Sequence, residues 1–235
     1  MSRNHQSPSA SGNWLHNMPA SRILDWIRAA SPVRKVQSTA GYQSWRRGLL
    51  VSALRRRAAH VAPLNVVLGS GETRFDGWLD TDQHVLDVRL PENWAEVFRD
   101  DSIDRLLAEH LFEHLSEEDC AVSFALCYRY LKPGGRLRVA VPDGYHRDPR
   151  YIEEVAPPRD GHRCLFHVDS LGSLLVAAGF AIEPLEYFDG DREFHARSWS
   201  PTDGYVKRSA HIDEFDRFRH STLGYTSLII DAVKE

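Results

Sequence analysis

Short apolar runs alternate with helical patterns along the central and C-terminal parts of this chain. The first run, 64–68, holds four apolar residues around Asn65 and leads directly into Gly69-Ser70-Gly71. Such a run predicts a strand that is buried on both faces. Parallel strands bind ligands at their carboxyl ends, and glycine lets the backbone approach a ligand closely. Gly69-Ser70-Gly71 is therefore either a ligand loop or a plain turn.

The pattern predicts six further strands, and helices separate several of them. Helical patterns cover 91–98 and 116–131, and a third helix begins at Asp169 or Ser170 and ends at Gly179. No helix is predicted between Gly71 and the second strand. The predicted strands are 64–68, 78–82, 84–88, 102–110, 136–142, 180–188 and 225–233. This alternation indicates a three-layer α/β fold with a mostly parallel seven-stranded sheet and an antiparallel C-terminal strand.

The first 60 residues differ in composition and charge from the rest of the chain. Residues 1–17 are rich in Ser, Asn, Pro and Gly, which predicts disorder, and helices are predicted for 19–30 and 42–60. This stretch carries ten Lys or Arg and one acid, for a net +9, whereas the remainder carries −13. We expect a basic extension over 1–60, which docks on the acidic body or forms a solvated face. A transit peptide and a surface for nucleic acid or anionic lipid are the alternatives.

The second predicted domain covers 61–235 and includes a lid-like insertion at 189–224. Its hydrophobic content of 42%, measured over the whole chain, is typical of a globular protein. No apolar run approaches the roughly 18 residues that cross a bilayer, and no signal peptide is recognised. The three cysteines, Cys120, Cys127 and Cys164, lack metal-binding spacing. They favour reduced thiols and a cytoplasmic location, with Cys120 and Cys127 facing the core.

Several segments of the chain resemble those of class I S-adenosylmethionine-dependent methyltransferases. The most specific is the turn Leu131-Lys132-Pro133-Gly134-Gly135 between a helix and a strand. The others are 67–71, 77–82, 103–115, 130–137 and 141–143. More narrowly, the chain resembles a little-characterised bacterial group of this family with a shortened first helix. That likeness rests on 77–82 and on the C-terminal residues 186–189, His195, Arg208-Ser209 and 225–232.

This resemblance implies a Rossmann-like fold, methyl transfer and S-adenosylmethionine as the cofactor. Gly69, Ser70 and Gly71 would let the backbone approach the methionine moiety. Because the first helix is missing or very short, the loop 72–77 must close the site. Arg74, in that loop, is a candidate for binding the methionine carboxylate.

Acidic residues supply the remaining cofactor-binding candidates. An acid at the end of the second strand can accept both ribose hydroxyls, and we prefer Asp82 to Asp80 for this role. A solvated strand-end acid is the alternative for each. The resemblance further places Asp87 near adenine, and Glu109 is a further cofactor-binding candidate.

Histidines are the candidates for proton transfer, because methylating a hydroxyl needs a base that takes its proton. We rank them His110, His162 and His195. His110 is expected at the carboxyl end of the fourth strand, and His162 and His195 in loops over the same cleft. A structural role is the alternative for each, and Asp143 is a further candidate in the cleft.

Two other functions are alternatives to methyl transfer. His110-Leu111-Phe112-Glu113-His114 matches the H-x-x-E-H pattern of inverted zinc peptidases, which needs both histidines on one helical face. Since a strand is predicted immediately before His110, a zinc hydrolase is the weaker alternative. A non-catalytic module that binds S-adenosylmethionine is another, which the presence of Gly69, Gly71 and Asp82 disfavours.

The acceptor is predicted to be a small polar molecule, such as a sugar or a secondary metabolite, methylated on oxygen. No Asn-Pro-Pro-Tyr-type motif follows the fourth strand, which argues against amino methylation of adenine or glutamine. The body's net charge of −13 disfavours nucleic acid as a partner. The sequence does not determine the oligomeric state, and a homodimer is one option. Aromatic residues that could stack on a sugar are Trp199, Tyr205, Phe215 and Phe218.

Overall fold

The computed structural model describes residues 40–71, 74–210 and 226–235. Predictions that fall on 1–17 and 19–30, and on Phe215 and Phe218, lie outside the described residues. The chain divides into two compact units, Met1–Leu49 and Leu50–Glu235. The assignment of 1–60 as an extension and of 189–224 as a lid stays a prediction.

Seven strands form one sheet in the order β2-β1-β3-β4-β7-β5-β6. The first four in this order are parallel, β7 is antiparallel to β4 and β5, and β6 is antiparallel to β5. The α/β class and the reversed C-terminal strand β7 are therefore confirmed. The strands are β1 Asn65–Leu68, β2 Trp78–Asp80, β3 Ile103–Glu109, β4 Leu131–Pro142, β5 Ala181–Phe188, β6 Phe194–Ala196 and β7 Ser227–Val233.

Helices follow the predicted positions with two corrections. Ser116 caps the helix that is predicted to start there, since its Oγ accepts a hydrogen bond from Asp119 N at 3.2 Å. The last helix begins after His167, because Ser170 occupies the third helical position and completes a capping box with His167. A further helix, opened by Asp148 and a proline, lies between β4 and the last helix, where no helix is predicted. The helices are α1 Ala40–Ala58, α2 Pro91–Val97, α3 Glu117–Tyr130, α4 Pro149–Val155 and α5 Val168–Ala177.

The predicted strand at 84–88 is wrong. Val85 N and Leu86 N both donate to the Asp82 carbonyl, at 2.8 and 2.9 Å, so the chain turns back immediately after β2. Leu86 and Val88 are nevertheless buried in the core. Their apolar side chains reach the core from turns, and the seventh strand of the sheet is β6 instead.

Two apolar clusters lie within the unit Leu50–Glu235. The larger joins the strands to α2, α3, α5 and the C-terminal half of α1. The smaller joins the strands to Trp199 and Val206, and its members include no residue of a helix. We call residues 197–210 the covering segment, because they supply the non-strand side chains of this second cluster.

A buried ion pair connects the sheet to the covering segment. Arg138 on β4 faces Asp231 on β7, with Nε–Oδ1 and Nη2–Oδ2 distances of 2.7 and 2.8 Å and both side chains fully buried. Arg136 adds a second contact to Asp231 at 2.6 Å. The remaining donors of Arg138 reach the carbonyls of Ser200 and Gly204, at 3.0 and 2.6 Å. Charged groups of the sheet therefore hold the covering segment through its backbone.

All three cysteines are free thiols, as their spacing predicted. Cys120 and Cys127 are completely buried, which confirms that they face the core. Burial raises the pKa of the Cys120 thiol to about 12 and raises that of Cys127 as well. Among the described helices, none has both the length and the apolar character needed to cross a membrane.

Candidate functional site

The glycine loop leaves the carboxyl end of β1 and is closed by Thr81. Ser70 N donates to the Thr81 carbonyl at 2.8 Å, and Thr81 N and Oγ1 both donate to the Val67 carbonyl, at 2.9 and 2.8 Å. The described residues between Gly71 and β2 contain no helix, as predicted. Thr81 thus does part of the closing that a helix would do. Sequence reasoning missed this residue, although its position directly after the strand β2 was a usable signal.

The two glycines of the loop have different surroundings. Both adopt left-handed backbone angles, with φ of +61° at Gly69 and +56° at Gly71. A Cβ on Gly69 would lie 2.9 Å from Leu111 Cδ1, whereas a Cβ on Gly71 would meet no described atom within 4 Å. Gly69 therefore packs against the segment that follows β3, whereas the Cβ side of Gly71 is clear of the described residues.

Arg74 lies across the loop. Its guanidinium contacts the Gly71 carbonyl at 3.1 Å, Ser70 Oγ at 3.4 Å and Asp80 Oδ2 at 3.2 Å. The side chain is more than half exposed. The guanidinium is therefore ion-paired with Asp80 beside the glycine loop, and a role toward the methionine carboxylate stays a prediction.

The two candidate ribose-binding acids occupy different positions. β2 ends at Asp80 and not at Asp82, because the backbone turns at Asp82 to accept the two hydrogen bonds described above. Asp82 is exposed and its Oδ1 accepts from Gln83 N at 2.5 Å. Asp80 Oδ1 is buried and has no hydrogen-bond partner among the described residues. A buried carboxylate oxygen without a donor is costly, so the pair of acids fits a ligand that brings hydroxyl groups to this position.

Asp87 is engaged by a neighbouring guanidinium. Arg89 Nε and Nη2 donate to its two carboxylate oxygens at 2.9 and 2.7 Å. These hydrogen bonds hold the pKa of Asp87 below its ordinary value. The Asp87 amide donates to Asn93 Oδ1 at 3.1 Å. Its carboxylate is therefore committed to Arg89, and contact with adenine stays a prediction.

Glu109, the last residue of β3, contacts the covering segment. Its Oε1 accepts hydrogen bonds from the backbone amides of Lys207 and Arg208, at 2.8 and 3.1 Å. This contact fixes the covering segment beside the carboxyl end of β3. A role of Glu109 toward the cofactor stays a prediction.

His110 follows β3 directly, as predicted, and connects two elements. Its Nδ1 lies 2.8 Å from Glu113 Oε1, and its Nε2 lies 3.0 Å from Ser227 Oγ on β7. Because a carboxylate accepts hydrogen bonds, Nδ1 carries the proton and Nε2 accepts from the serine hydroxyl. The backbone of His110 has φ of +54°, an unusual value for a residue with a Cβ. Sequence reasoning did not foresee Ser227, which is buried and 117 residues away.

His162 lies close to His110 through Glu113. Glu113 is 1% exposed and belongs with His114 and His162 to one group whose ligand atoms all lie within 4.8 Å of one another. His162 is buried, its Nδ1 lies 2.6 Å from the Val155 carbonyl, and its ring meets that of His114 edge to face at 5.0 Å. The structure therefore brings two of the three predicted histidines into one neighbourhood.

His195 does not join this neighbourhood. It lies on β6, where its Nε2 contacts Asp189 Oδ2 at 2.6 Å and its ring stacks on Tyr187 at 4.9 Å. Four interstrand spacings separate β6 from β3, which is about 19 Å along the sheet. The expectation that His195 covers the same cleft as His110 is therefore wrong, because the hairpin with β5 carries it to the far edge.

The H-x-x-E-H pattern does not form an inverted zinc-peptidase site. Such a site needs both histidines on one helix, whereas His110 ends a strand and residues 112–114 form one 3₁₀ turn. Both ring nitrogens of His110 are engaged, by Glu113 and Ser227. The zinc hydrolase that used His110, Glu113 and His114 is therefore rejected on geometry.

Asp143 lies at the carboxyl end of β4 and is fully buried. Its Oδ2 accepts from Phe188 N at 2.8 Å and its Oδ1 from Tyr145 N at 2.9 Å. Burial raises its pKa to about 6, and the two amide donors limit that rise. Asp143 thus joins the ends of β4 and β5.

The aromatic residues proposed for the acceptor separate in the structure. Trp199 is buried, donates from Nε1 to Glu186 Oε1 at 2.8 Å, and packs under the Arg138 guanidinium at 4.6 Å. It is a core residue, and its expected place over the cleft is wrong. Tyr205, half-buried, lies 5.6 Å from Phe75 between ring centroids. Tyr205 and Phe75 therefore form an aromatic pair between the covering segment and the glycine loop.

The Lys-Pro-Gly-Gly turn lies at the amino ends of the strands, opposite the carboxyl ends that carry the glycine loop. Lys132 Nζ contacts both carboxylate oxygens of Asp104 at 2.8 Å, and Asp104 Oδ2 also accepts from Leu64 N at 2.7 Å. These residues connect the amino ends of β1, β3 and β4. A polar cavity of about 340 Å³ adjoins the turn, away from the glycine loop. The turn therefore stabilises the sheet and does not contribute to the site.

Comparison with known proteins shows the family to which the chain belongs. The family model described as a methyltransferase domain matches residues 10–185. The chain belongs to this methyltransferase family. The cofactor of this methyltransferase is S-adenosylmethionine, in agreement with the open space at Gly71 and the unpartnered oxygen of Asp80. The predicted class I methyltransferase is thereby confirmed. No curated protein matches this methyltransferase.

Solved structures with similar folds include several methyltransferases. One is a SAM-dependent methyltransferase from Archaeoglobus fulgidus, with 18% identity over 80% of this chain and 94% of that chain and a TM-score of 0.45. Another, from Mesorhizobium loti, has 18% identity over 84% and 99%, with a TM-score of 0.43. A third, from Thermotoga maritima, is described as a possible histamine N-methyltransferase and has 17% identity over 83% and 95%, with a TM-score of 0.43. The family assignment rests on the family model alone.

Proposed function

We propose that this methyltransferase transfers a methyl group to a hydroxyl oxygen of a small polar acceptor, such as a sugar or a secondary metabolite. The observation that carries the proposal is the pair His110–Glu113 at the carboxyl end of β3, with Nδ1 and Oε1 2.8 Å apart. S-adenosylmethionine supplies the methyl group when bound. The residues of the chain must then position the acceptor and take its proton.

The proton-accepting atom in this proposal is His110 Nε2. The buried carboxylate of Glu113 accepts the hydrogen bond of Nδ1 and so fixes the ring orientation and leaves Nε2 as the nitrogen that can take a proton, as in other carboxylate–histidine pairs. Ser227 Oγ lies 3.0 Å from Nε2. An acceptor hydroxyl would lose its proton to Nε2 directly or through Ser227 Oγ. His162, tied to the Val155 carbonyl through its own Nδ1, is the second candidate.

Cofactor binding is assigned to the loop after β1 and to the acids after β2. Gly69, Ser70 and Gly71 would contact the methionine moiety, with Gly71 offering the open space. Asp80 and Asp82 would accept the ribose hydroxyls. Because Asp80 Oδ1 has no hydrogen-bond partner among the described residues, Asp80 is as good a candidate for this role as Asp82. Asp87 and Glu109 keep their predicted places beside the cofactor.

The proposed acceptor class draws support from the aromatic pair Phe75 and Tyr205. Aromatic faces suit the apolar face of a sugar ring, and the histidines and Ser227 suit its hydroxyl groups. We place the reaction in the cytoplasm, a location with which three unpaired cysteines agree.

Calorimetry with S-adenosylmethionine and S-adenosylhomocysteine tests the cofactor site. Wild type should bind both, and Asp80→Asn and Asp82→Asn should each weaken binding because the ribose hydroxyls lose a charged acceptor. Asp191→Asn, an exposed acid on the β5–β6 hairpin, is the matched control and should bind like wild type. If wild type binds neither compound at millimolar concentration, the proposed cofactor site and the methyl transfer that depends on it both fail.

A panel of hydroxylated acceptors, assayed for S-adenosylhomocysteine release and product mass, tests the chemistry. His110→Ala should lower turnover by about a hundredfold or more while leaving cofactor affinity nearly unchanged, since it removes the base and not the cofactor contacts. His84→Ala, an exposed histidine, is the control. Full turnover in His110→Ala would contradict the assignment of the base.

A further inference from the structure

We propose that Glu113, His114 and His162 form a binding site for a divalent transition metal, and that zinc is the ion this ligand set favours. The site goes beyond the proposed methyl transfer and needs neither cofactor nor acceptor to form. Its ligand atoms, one from each residue, all lie within 4.8 Å of one another. Four-coordinate zinc separates its ligand atoms by about 3.3 Å, and rotation of the exposed His114 side chain can close that difference.

Backbone contacts bring the two halves of this cluster together. Glu113 and His114 lie in the 3₁₀ turn after β3, and His162 follows a second 3₁₀ turn, Arg159–Gly161. The Glu113 carbonyl accepts from the amides of Arg163 and Cys164, at 2.7 and 3.1 Å. The ligands are therefore held near one another by the main chain, before any ion is considered.

The carboxylate of Glu113 has one oxygen that lacks a partner. Oε1 accepts from His110 Nδ1 at 2.8 Å, but Oε2 is buried and has no hydrogen-bond partner among the described residues. The whole side chain is 1% exposed, and the described residues offer it no Lys or Arg. Burying an unpaired carboxylate oxygen is costly, so the geometry indicates a cation at Oε2.

His162 presents the nitrogen that a metal needs. Its Nδ1 lies 2.6 Å from the Val155 carbonyl, which can only accept, so Nδ1 carries the proton and Nε2 keeps a lone pair. Metal-binding histidines are commonly fixed in this way by a carbonyl, and metal-binding carboxylates by a further hydrogen bond. The contact between Glu113 Oε1 and His110 supplies the second of these. Both supporting contacts are thus already present.

The chemistry of the three ligands selects the ion. Two imidazoles and one carboxylate form the ligand set of catalytic zinc sites, in which water takes the fourth position. Magnesium and calcium prefer all-oxygen sites and are disfavoured by two imidazoles. These ligands also differ from those of the rejected peptidase site. That site would use His110, whereas the proposed metal site uses His162 together with Glu113 and His114.

Cobalt binding to the full chain, stripped with a chelator beforehand, tests the site. Co²⁺ is used because its visible absorption reports tetrahedral coordination, and Zn²⁺ is then added to displace it. Wild type should take up one Co²⁺ per chain with tetrahedral absorption. His114→Ala and Glu113→Gln should each weaken binding by at least about tenfold, and His84→Ala should bind like wild type. Glu113→Gln keeps an amide oxygen for His110, and circular dichroism checks its folding.

Absence of Co²⁺ uptake at micromolar concentration would overturn the proposal. So would equal affinity in wild type and His114→Ala, a variant whose exposed side chain leaves folding intact. Because no methyl donor is present, the result is independent of the calorimetry on the cofactor. A failure of methyl transfer with metal binding retained, or the reverse, therefore distinguishes the two proposals.

Discussion

Substituting Asp143 by asparagine should remove a specific pH dependence from the stability of the protein. Asp143 is fully buried at the junction of β4 and β5, and burial raises its pKa from an ordinary 3.8 to about 6. Asparagine keeps an oxygen that can accept from one of the two amides, Phe188 or Tyr145, but cannot titrate. The comparison therefore isolates the ionisation of one carboxyl group.

The sign and size of the effect follow from the two pKa values. Between 3.8 and about 6 the folded state binds more protons at Asp143 than the unfolded chain, so the stability contribution is complete below 3.8 and is lost as the pH rises through 6. Each pKa unit is worth about 1.4 kcal/mol, so the free energy of unfolding should fall by about 3 kcal/mol over this range. Acids with lowered pKa, such as Asp87, change stability only at lower pH and in the opposite direction.

Urea unfolding followed by tryptophan fluorescence, in buffers from about pH 4 to pH 7, measures this effect. The difference between wild type and Asp143→Asn should change by about 3 kcal/mol across the series, whereas Asp191→Asn should parallel wild type. Parallel curves for wild type and Asp143→Asn would refute the reasoning, because every other titrating group is common to both proteins.

Three further predictions concern stability. Asp231→Asn should lower the free energy of unfolding in urea by about 3–5 kcal/mol, because Arg138 stays buried without its anion. The control Asp100→Asn, at an exposed pair with Arg129, should lower it by less than about 1 kcal/mol. Similar losses in both variants would contradict this account. Gly71→Ala should lower the free energy of thermal unfolding by about 1–2 kcal/mol, because alanine is strained at the left-handed φ of this position. Gly48→Ala, inside α1, should raise it by up to about 1 kcal/mol. Equal effects of the two substitutions would argue against the loop geometry. Ser116→Ala should cost about 1 kcal/mol of thermal stability, and Ser116→Asp should restore it; no loss would mean that this cap contributes little.

The elements that were predicted well are those that a local pattern determines. Ser116 begins α3 because its hydroxyl can satisfy an N-terminal amide, and β1 is read from its uninterrupted apolar residues. The strand prediction for 84–88 was wrong because apolar side chains need burial, which a turn can provide as well as a strand. Leu86 is buried although it lies in a turn, which is closed by hydrogen bonds to the Asp82 carbonyl.

The candidate site was harder to predict because it depends on contacts between distant segments. His110 was placed correctly from the end of β3, but its partner Ser227 comes from the opposite end of the chain. His195 was misplaced because the sequence around it does not show that β6 pairs with the edge of the sheet. The pair Arg138–Asp231 did have a signal, since Asp231 is the single charge of β7 and Arg138 directly precedes the apolar run 139–141 of β4. Opposite charges beside apolar runs in two strands indicate a buried ion pair between those strands.

The way the covering segment is attached has a consequence for how this protein can evolve. Glu109, Arg138 and Glu186 bind its peptide groups, at Lys207, Arg208, Ser200, Gly204 and Ala210. Every amino acid carries the carbonyl and all but proline carry the amide, so exposed side chains of the segment can be exchanged without loosening its attachment, whereas Trp199 and Val206 are held in the core. Exposed positions of the covering segment can then change while the glycine loop and the sheet stay as they are. The same property makes the exposed positions of residues 197–210, and not Trp199, Gly204 or Val206, a practical place to graft new sequence onto this scaffold.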